Sequence, residues 1–223
     1  MSRQGVPAAL AGRMGRPSAL PELRRTAKVR AVLGPAFTLG AYLFGSVSFG
    51  LIAARRAGVD LRAEGSGNVG ATNVGRLLGK RTGRVVLLLD ALKGALPTAA
   101  AFGLLGPESP WTAGTGVAAV VGHCFPLWHG LRGGKGAATA AGVMLAAVPW
   151  AGVAAALAYG VLKKATHRAS VGSLGGAAVG AGVAWAWLGQ SPRAWMALAI
   201  LAVVALRHTS NIGRLLRGEE PPS

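Results

Sequence analysis

Acid is scarce in this chain: 7 Asp and Glu stand against 24 Lys and Arg in 223 residues, a formal net charge of +17. With so few carboxylates, none stands where it could orient a histidine toward a serine, which excludes a serine nucleophile triad. Cysteine is scarcer still. Cys124 is alone, so there is no disulfide framework and no cysteine metal site, and its apolar and aromatic neighbours mark it as a packed thiol. His123 has neither a carboxylate nor a second histidine beside it in sequence, and is expected to pack or hydrogen-bond rather than hold a metal. Charged residues make up only 14% of the chain, too few for a soluble domain with apolar runs this long.

What the chain has instead is 52% hydrophobic residues, 35 glycines and a mean hydropathy of +0.44, the profile of an integral membrane protein. Its basic residues fall in short clusters between apolar runs and form no single stripe, so nucleic acid is not an expected partner. Anionic lipid or an anionic substrate fits that pattern.

Residues 1–33 carry Arg3, Arg13, Arg16, Arg24, Arg25, Lys28 and Arg30 against the single acid Glu22, and are expected to form a disordered basic tail. The membrane domain is expected over residues 34–217, followed by a short C-terminal tail over 218–223. Residues 34–54 are long enough to cross about 30 Å of hydrocarbon, and Arg55 and Arg56 stop them. A basic loop leads to a second apolar segment, 85–105, interrupted by Asp90 and Lys93, and a third over 111–128 returns to Arg132 and Lys135. The run 137–162 has Pro149 near its middle and is expected as two short helices turning around Val148 and Pro149, which returns Lys163, Lys164 and Arg168 to the side of the other basic islands. Segments 171–188 and 195–206 then lead to a basic end at Arg207, Arg214 and Arg217. The expected fold is all-α: a polytopic membrane protein with about seven transmembrane helices, some short or broken, and its basic islands on the cytoplasmic side. Runs such as GVAAVVG and GGAAVGAG suit close helix packing in lipid.

The stretch from Gly65 to Arg76, GSGNVGATNVGR, formally satisfies the dinucleotide-binding pattern G-x-G-x-x-G, with Asp90 about twenty residues beyond. That fingerprint must follow a buried strand, whereas Asp60, Arg62 and Glu64 precede it here. Two readings stay open. In one, glycine N–H groups, the side chains of Ser66, Asn68, Thr72 and Asn73, and a bidentate Arg76 hold a phosphate; in the other, Ser66 or Thr72 simply caps a helix. LRGGKG lacks the upstream glycine and the Ser or Thr of a P-loop, which leaves a flexible turn presenting Arg132 and Lys135. Asp90 and Lys93 lie at i, i+3 inside an apolar span and can pair with each other. Two further basic turns offer Thr166, Ser170 and Ser173, and His208 with Asn211.

Taken in order, GSGNVGATNVGR, LLLDALKG, GHCFPLWHGLRGGKGAAT, the segment from Thr166 to Ser173 and RHTSNIGRLLRGEE resemble the bacterial acyl-phosphate-dependent glycerol-3-phosphate acyltransferase family, over nearly everything from Tyr42 to Glu220. The resemblance implies transfer of a fatty acyl group from acyl phosphate to the sn-1 hydroxyl of glycerol 3-phosphate, giving lysophosphatidic acid and phosphate in phospholipid synthesis. It implies a multi-pass protein of the cell membrane with its active site at the cytoplasmic face, no cofactor, no metal, membrane lipid around it, and a peripheral acyl-phosphate-making enzyme as supplier. Ser66, Arg76, Lys135, Ser170, His208 and Asn211 fall on the family's active-site positions. Gly65, Gly67, Asn68, Gly70, Thr72, Asn73, Arg132, Gly133, Gly134, Gly136 and Arg168 are expected, by the same resemblance, to shape the phosphate sites. The donor's own phosphate is expected to take the hydroxyl proton, without a covalent enzyme intermediate.

The chain departs from the family pattern where Arg132 replaces a usual lysine, where Ser48 and Val69 stand at common proline positions, and where His167 and Arg168 replace the usual arginine and aromatic. The basic tail has no family counterpart. Two other functions compete: a transporter for an organic phosphate, since broken helices and intramembrane charges also mark transport sites, and a non-enzymatic binder of anionic lipid.

Overall fold

Several helices in this chain start at a serine or a proline, and several stop at a glycine. Ser48, Ser109 and Ser191 accept hydrogen bonds from backbone N–H groups of the helices they precede, with Pro110 and Pro192 in the first turns of the second and third of these. Gly58, Gly106 and Gly189 follow helix ends. A computed structural model describes residues 19–223, with side chains from Ala31 onward. Its helices are α1 (Ala19–Gly45), α2 (Phe49–Ala57), α3 (Ala71–Leu77), α4 (Lys80–Leu105), α5 (Pro110–Cys124), α6 (Ala137–Ala147), α7 (Pro149–Thr166), α8 (Ala169–Leu188), α9 (Pro192–Arg207) and α10 (Thr209–Leu216). A single 3-10 turn, Leu127–His129, lies between α5 and α6, and no strand occurs among the described residues.

The all-helical membrane architecture is as expected, and so is the break at Val148 and Pro149 that divides α6 from α7. The first expected span differs. It is broken at Ser46–Ser48, where Lys93 Nζ, 2.7 Å from the Val47 oxygen, donates to a carbonyl in the break. Residues 19–33, expected in the tail, form the start of α1; the rest of that tail lies outside the described residues. Among the described residues, Ala31–Ala57, Lys80–Leu105 and Ala169–Leu188 are long and apolar enough to cross a membrane, and α9 with α10, bent by 63°, would make a fourth. Length and hydropathy therefore do not confirm the expected seven.

The larger core gathers α5, α6, α8 and α9 around Val120, Val143, Met144, Val148, Ile200 and Val204. A smaller one seats the glycine-rich stretch, packing Val69 and Val74 with Ala54, Leu61 and Val86. Trp111, Trp150, Trp187 and Trp195 are exposed at the start of α5, the start of α7, the end of α8 and the start of α9, all at one end of the bundle, as in an interfacial aromatic belt. The basic islands lie at the opposite end.

Backbone contact between α4 and α6 rests on absent side chains. A Cβ on Gly142 would stand 1.9 Å from the Ala91 oxygen, and one on Gly94 would stand 2.3 Å from the Thr139 oxygen. Gly160 faces open space. Gly142→Leu should therefore cost about 3 kcal/mol of stability or more, read as early thermal aggregation in detergent, while Gly160→Ala leaves the transition unchanged.

Candidate active site

Four of the helices that begin at the basic end of the bundle start at one cavity: α3 after Gly70, α6 after Gly136, α8 after Arg168 and α10 after His208. None of these cap residues gives a side-chain bond to its helix; Ser223 Oγ accepts from the Ala169 N–H of α8 at 2.9 Å, and the other helix-start N–H groups and the aligned peptide dipoles leave partial positive charge there. First-turn residues of all four, among them Thr72, Ala137, Ser170 and Asn211, line one cavity of about 380 Å³. The side chains of Arg76, Lys135 and Arg214 add full charges to it.

Every residue expected at the active site lines this cavity: Ser66, Arg76, Lys135, Ser170, His208 and Asn211. Asn68, Gly70, Thr72 and Gly136 line it as well. His208 is buried, and its Nδ1, 2.8 Å from the Val204 oxygen, must carry the proton it donates there, which leaves Nε2 as an acceptor. Asn211 Oδ1 is buried without a hydrogen-bond partner, a second acceptor inside a site made mostly of donors.

The other expected phosphate-site residues do not line the cavity, and each has a different role. Asn73 is buried and fully occupied: its Oδ1 accepts from the Ser66 N–H at 2.9 Å, and its Nδ2 donates to the Leu61 and Glu64 carbonyls. It therefore folds the loop back on itself and presents Ser66. Gly65 and Gly67 adopt φ of +62° and +68°, and a Cβ on Gly65 would sit 2.3 Å from Asn73 Oδ1. Neither Ser66 nor Thr72 caps α3, because Gly70 holds the cap position.

Gly133 and Gly134 spend their N–H groups on the Cys124 and His123 carbonyls, at 3.2 and 3.1 Å, while their own carbonyls accept from Arg207 at 3.0 and 3.1 Å. They hold Lys135 in place rather than offering N–H groups to an anion. Arg132 is exposed, its carbonyl taken by Arg62. Arg168 donates through Nε to the Glu220 carbonyl at 2.9 Å.

Glu220 and Arg214 are the charged residues of the mouth that sequence reasoning missed. The segment 218–223, set apart as a tail, folds over the cavity mouth. Ser170 Oγ and Asn211 Nδ2 donate to Glu220 Oε1 at 2.7 and 2.6 Å, Arg214 Nε donates to Oε2 at 2.7 Å, and Arg76 donates to the Pro222 carbonyl at 3.1 Å. An acid placed among basic islands in an acid-poor chain was the available signal. Burial raises the Glu220 pKa, but the bonds from Ser170, Asn211 and Arg214 outweigh it and hold the carboxyl below the usual range, so it is ionised. Lys135 is also shifted downward, which for a lysine favours the neutral form: burial pushes its pKa down, Glu220 opposes this, and Arg214 and Arg207 reinforce it.

Asp90 and His123 also line the cavity. Asp90 pairs with Lys93 at 2.9 Å, as the spacing implied, but His123 has a carboxylate beside it after all, with its Nδ1 at 3.6 Å from Asp90 Oδ1. Cys124 is free and fully buried, the packed thiol expected. Among the described residues, no group of three or more His, Cys, Asp and Glu converges on a metal-sized space.

Below the polar mouth the cavity continues between helices along Met144, Ala155, Ala177, Ala181 and Ala197. Ser170 and Ala181 are both on α8 and both line it, so it runs about 16 Å along the helix at ~1.5 Å per residue. The whole is a cationic mouth over an apolar groove, fitted to an anionic head with a hydrocarbon tail.

Comparison with known proteins agrees with that shape. Residues 35–218 match the family model described as glycerol-3-phosphate acyltransferase. A glycerol-3-phosphate acyltransferase of Anaeromyxobacter sp. (strain Fw109-5) is 48% identical over 196 residues, which is 85% of this chain and 96% of that protein. Its counterpart in Myxococcus xanthus (strain DK1622) is 46% identical over 187 residues, 83% and 97% of the two chains. Two crystal structures of PlsY (YgiH), an integral membrane glycerol 3-phosphate acyltransferase, superpose on it. The glycerol 3-phosphate form gives a TM-score of 0.83 at 39% identity over 85% of this chain and 95% of the other. The lysophosphatidic acid form gives 0.80 at 38%, over 85% and 94%. The chain belongs to the glycerol-3-phosphate acyltransferase family.

Proposed function

We propose that this protein transfers a fatty acyl group from acyl phosphate to the sn-1 hydroxyl of glycerol 3-phosphate, at the cytoplasmic face of the cell membrane. The observation that carries the reading is the continuity of the cavity: one mouth with Arg76, Lys135, Arg214 and four helix starts, opening directly into an apolar groove. Both substrates carry phosphate, and only the donor carries a long apolar chain. The solved relatives, in glycerol 3-phosphate and lysophosphatidic acid forms, support the acceptor and the product.

The chemistry asks little of the protein, because an acyl phosphate is already activated. The sn-1 oxygen attacks the acyl carbonyl carbon, the bond from that carbon to the phosphate oxygen breaks, and the leaving phosphate takes the hydroxyl proton. The products are lysophosphatidic acid and inorganic phosphate. Two anions must be held close and the developing oxyanion stabilised, which cations, hydroxyls and free N–H groups accomplish by position and electrostatics. His208 Nε2 and Asn211 Oδ1, acceptors in a site of donors, suit the hydroxyls of the glycerol. Glu220 orients Ser170 and Asn211 through its hydrogen bonds. At its far end the cavity is lined by Met144, Ala155, Ala181 and Ala197, so no polar route continues there as a transporter would need.

Purified protein given acyl phosphate and glycerol 3-phosphate should release phosphate and lysophosphatidic acid; folded protein that releases neither would refute the reading. Arg76→Ala and Lys135→Ala should each lower kcat/KM by about 100-fold with the melting transition unchanged, and near-normal turnover in both would remove the site assignment. Ala177→Phe, which fills the groove, should reduce turnover of a long-chain donor about tenfold while sparing a short-chain one.

The depressed pKa of Lys135 has a readable sign. As pH rises the ammonium loses its proton earlier than an ordinary lysine at ~10.4, so kcat/KM should fall on the alkaline side below that value. Lys135→Arg should move this limb upward.

A further inference from the structure

Three buried groups have no part in the chemistry above. Lys93 and Asp90 are 1% and 2% exposed in α4, and His123 is 8% exposed in α5. Charges in such a span are costly and are kept only where they accomplish something. Lys93 reaches toward one part of the site and His123 toward another, with Asp90 between them.

Lys93 Nζ lies 2.9 Å from Asp90 Oδ1 and donates to the Val47 carbonyl at 2.7 Å, with the Phe49 ring centroid 5.7 Å away. It thereby fixes the break between α1 and α2. One residue further on, Gly50 lies so tightly under the first glycine loop that a Cβ there would stand 1.9 Å from the Val69 oxygen. From Lys93 the contacts thus lead to the loop that presents Ser66.

On the other side, Asp90 Oδ1 faces His123 Nδ1 at 3.6 Å. The opposite edge of that ring lies under the second loop: a Cβ on Gly134 would stand 2.2 Å from His123 Nε2. The Gly134 N–H also donates to the His123 carbonyl at 3.1 Å, and Lys135 is the next residue. His123 forms part of the cavity wall, but its two ring nitrogens face Asp90 on one side and Gly134 on the other, so the ring braces the Lys135 loop.

We propose that Asp90, Lys93 and His123 are positioning residues that set the Lys135 loop against the first glycine loop, and so fix the spacing of the two phosphates. The proposal rests on the acyltransferase reading. Removing the ring lets the Lys135 loop shift, which weakens the phosphate held there more than it slows the chemistry.

The test is steady-state kinetics in detergent, with each substrate varied in turn, on wild type, His123→Ala, Gly134→Ala and the double variant, each checked for an intact melting transition. His123→Ala should raise KM about tenfold for one of the two phosphate substrates, with kcat and the other KM within about threefold. Gly134→Ala, whose new methyl collides with the ring, should be partly rescued in the His123→Ala background, where the ring is gone. A fall in kcat with both KM values unchanged, unchanged KM values throughout, or absence of rescue would each overturn the proposal. If His123→Ala does not fold, His123→Asn is judged by the same split; failure of both to fold makes the network a folding element and overturns it too. Calorimetric binding of glycerol 3-phosphate keeps the two ideas apart: wild type that binds it without turnover refutes the acyltransferase reading alone, and the same variants are then compared by binding, an unchanged affinity in both His123→Ala and Gly134→Ala overturning the positioning role.

Discussion

Positive charge held together at the edge of a hydrocarbon slab is the constraint behind this fold. Arg76, Lys135 and Arg214 share one cavity with four helix starts, and the acid that faces them at its mouth is Glu220. Partial burial disfavours such charge, and the neighbouring cations Arg214 and Arg207 add to the cost against the pull of Glu220, as the lowered pKa of Lys135 records. Glu220 pairs with Arg214, and among the described residues Arg76 and Lys135 have no carboxylate partner. The interruptions in the helices serve the same end: the 63° bend between α9 and α10 places a helix start at the cavity, and the fold of residues 137–166 into two helices returns the chain to it for α8.

Close approach of the helices is what brings those starts together. α4 and α6 touch backbone to backbone at Gly94 and Gly142, and α8 lies against α7 at Gly176 beside the Ala155 carbonyl. Without bulkier side chains to hold the helices apart, a cavity narrow enough to grip a single chain forms between them. Helical glycines such as Gly94, Gly142 and Gly176 therefore set distances, while those in the two loops set backbone direction or make room for a neighbour.

A site of this type needs no nucleophile of its own. Its polar groups are arranged by other polar groups, Asn73 behind Ser66, Glu220 behind Ser170 and Asn211, Arg207 behind Gly133 and Gly134. An activated donor asks only that geometry and field be in place before it arrives.

Much of this was legible in the chain itself. The all-helical membrane class, the division at Pro149 and the pairing of Asp90 with Lys93 follow from local signals: apolar length, a proline, an i, i+3 spacing. The family resemblance of the motifs, taken in order, named six residues that line the cavity, Ser66, Arg76, Lys135, Ser170, His208 and Asn211. Tertiary structure alone decided that the polar groups of Asn73, Gly133 and Gly134 are bonded within the loops, that the first span breaks at Ser46–Ser48, that Asp90 reaches His123, and that the tail returns Glu220 to the site. Ser170 and Glu220 are 50 residues apart, and Lys93 and Val47 are 46. No local period links positions so distant. Only the packing of the helices determines which donor meets which acceptor, because each buried polar group takes the partner that the folded neighbours place within reach.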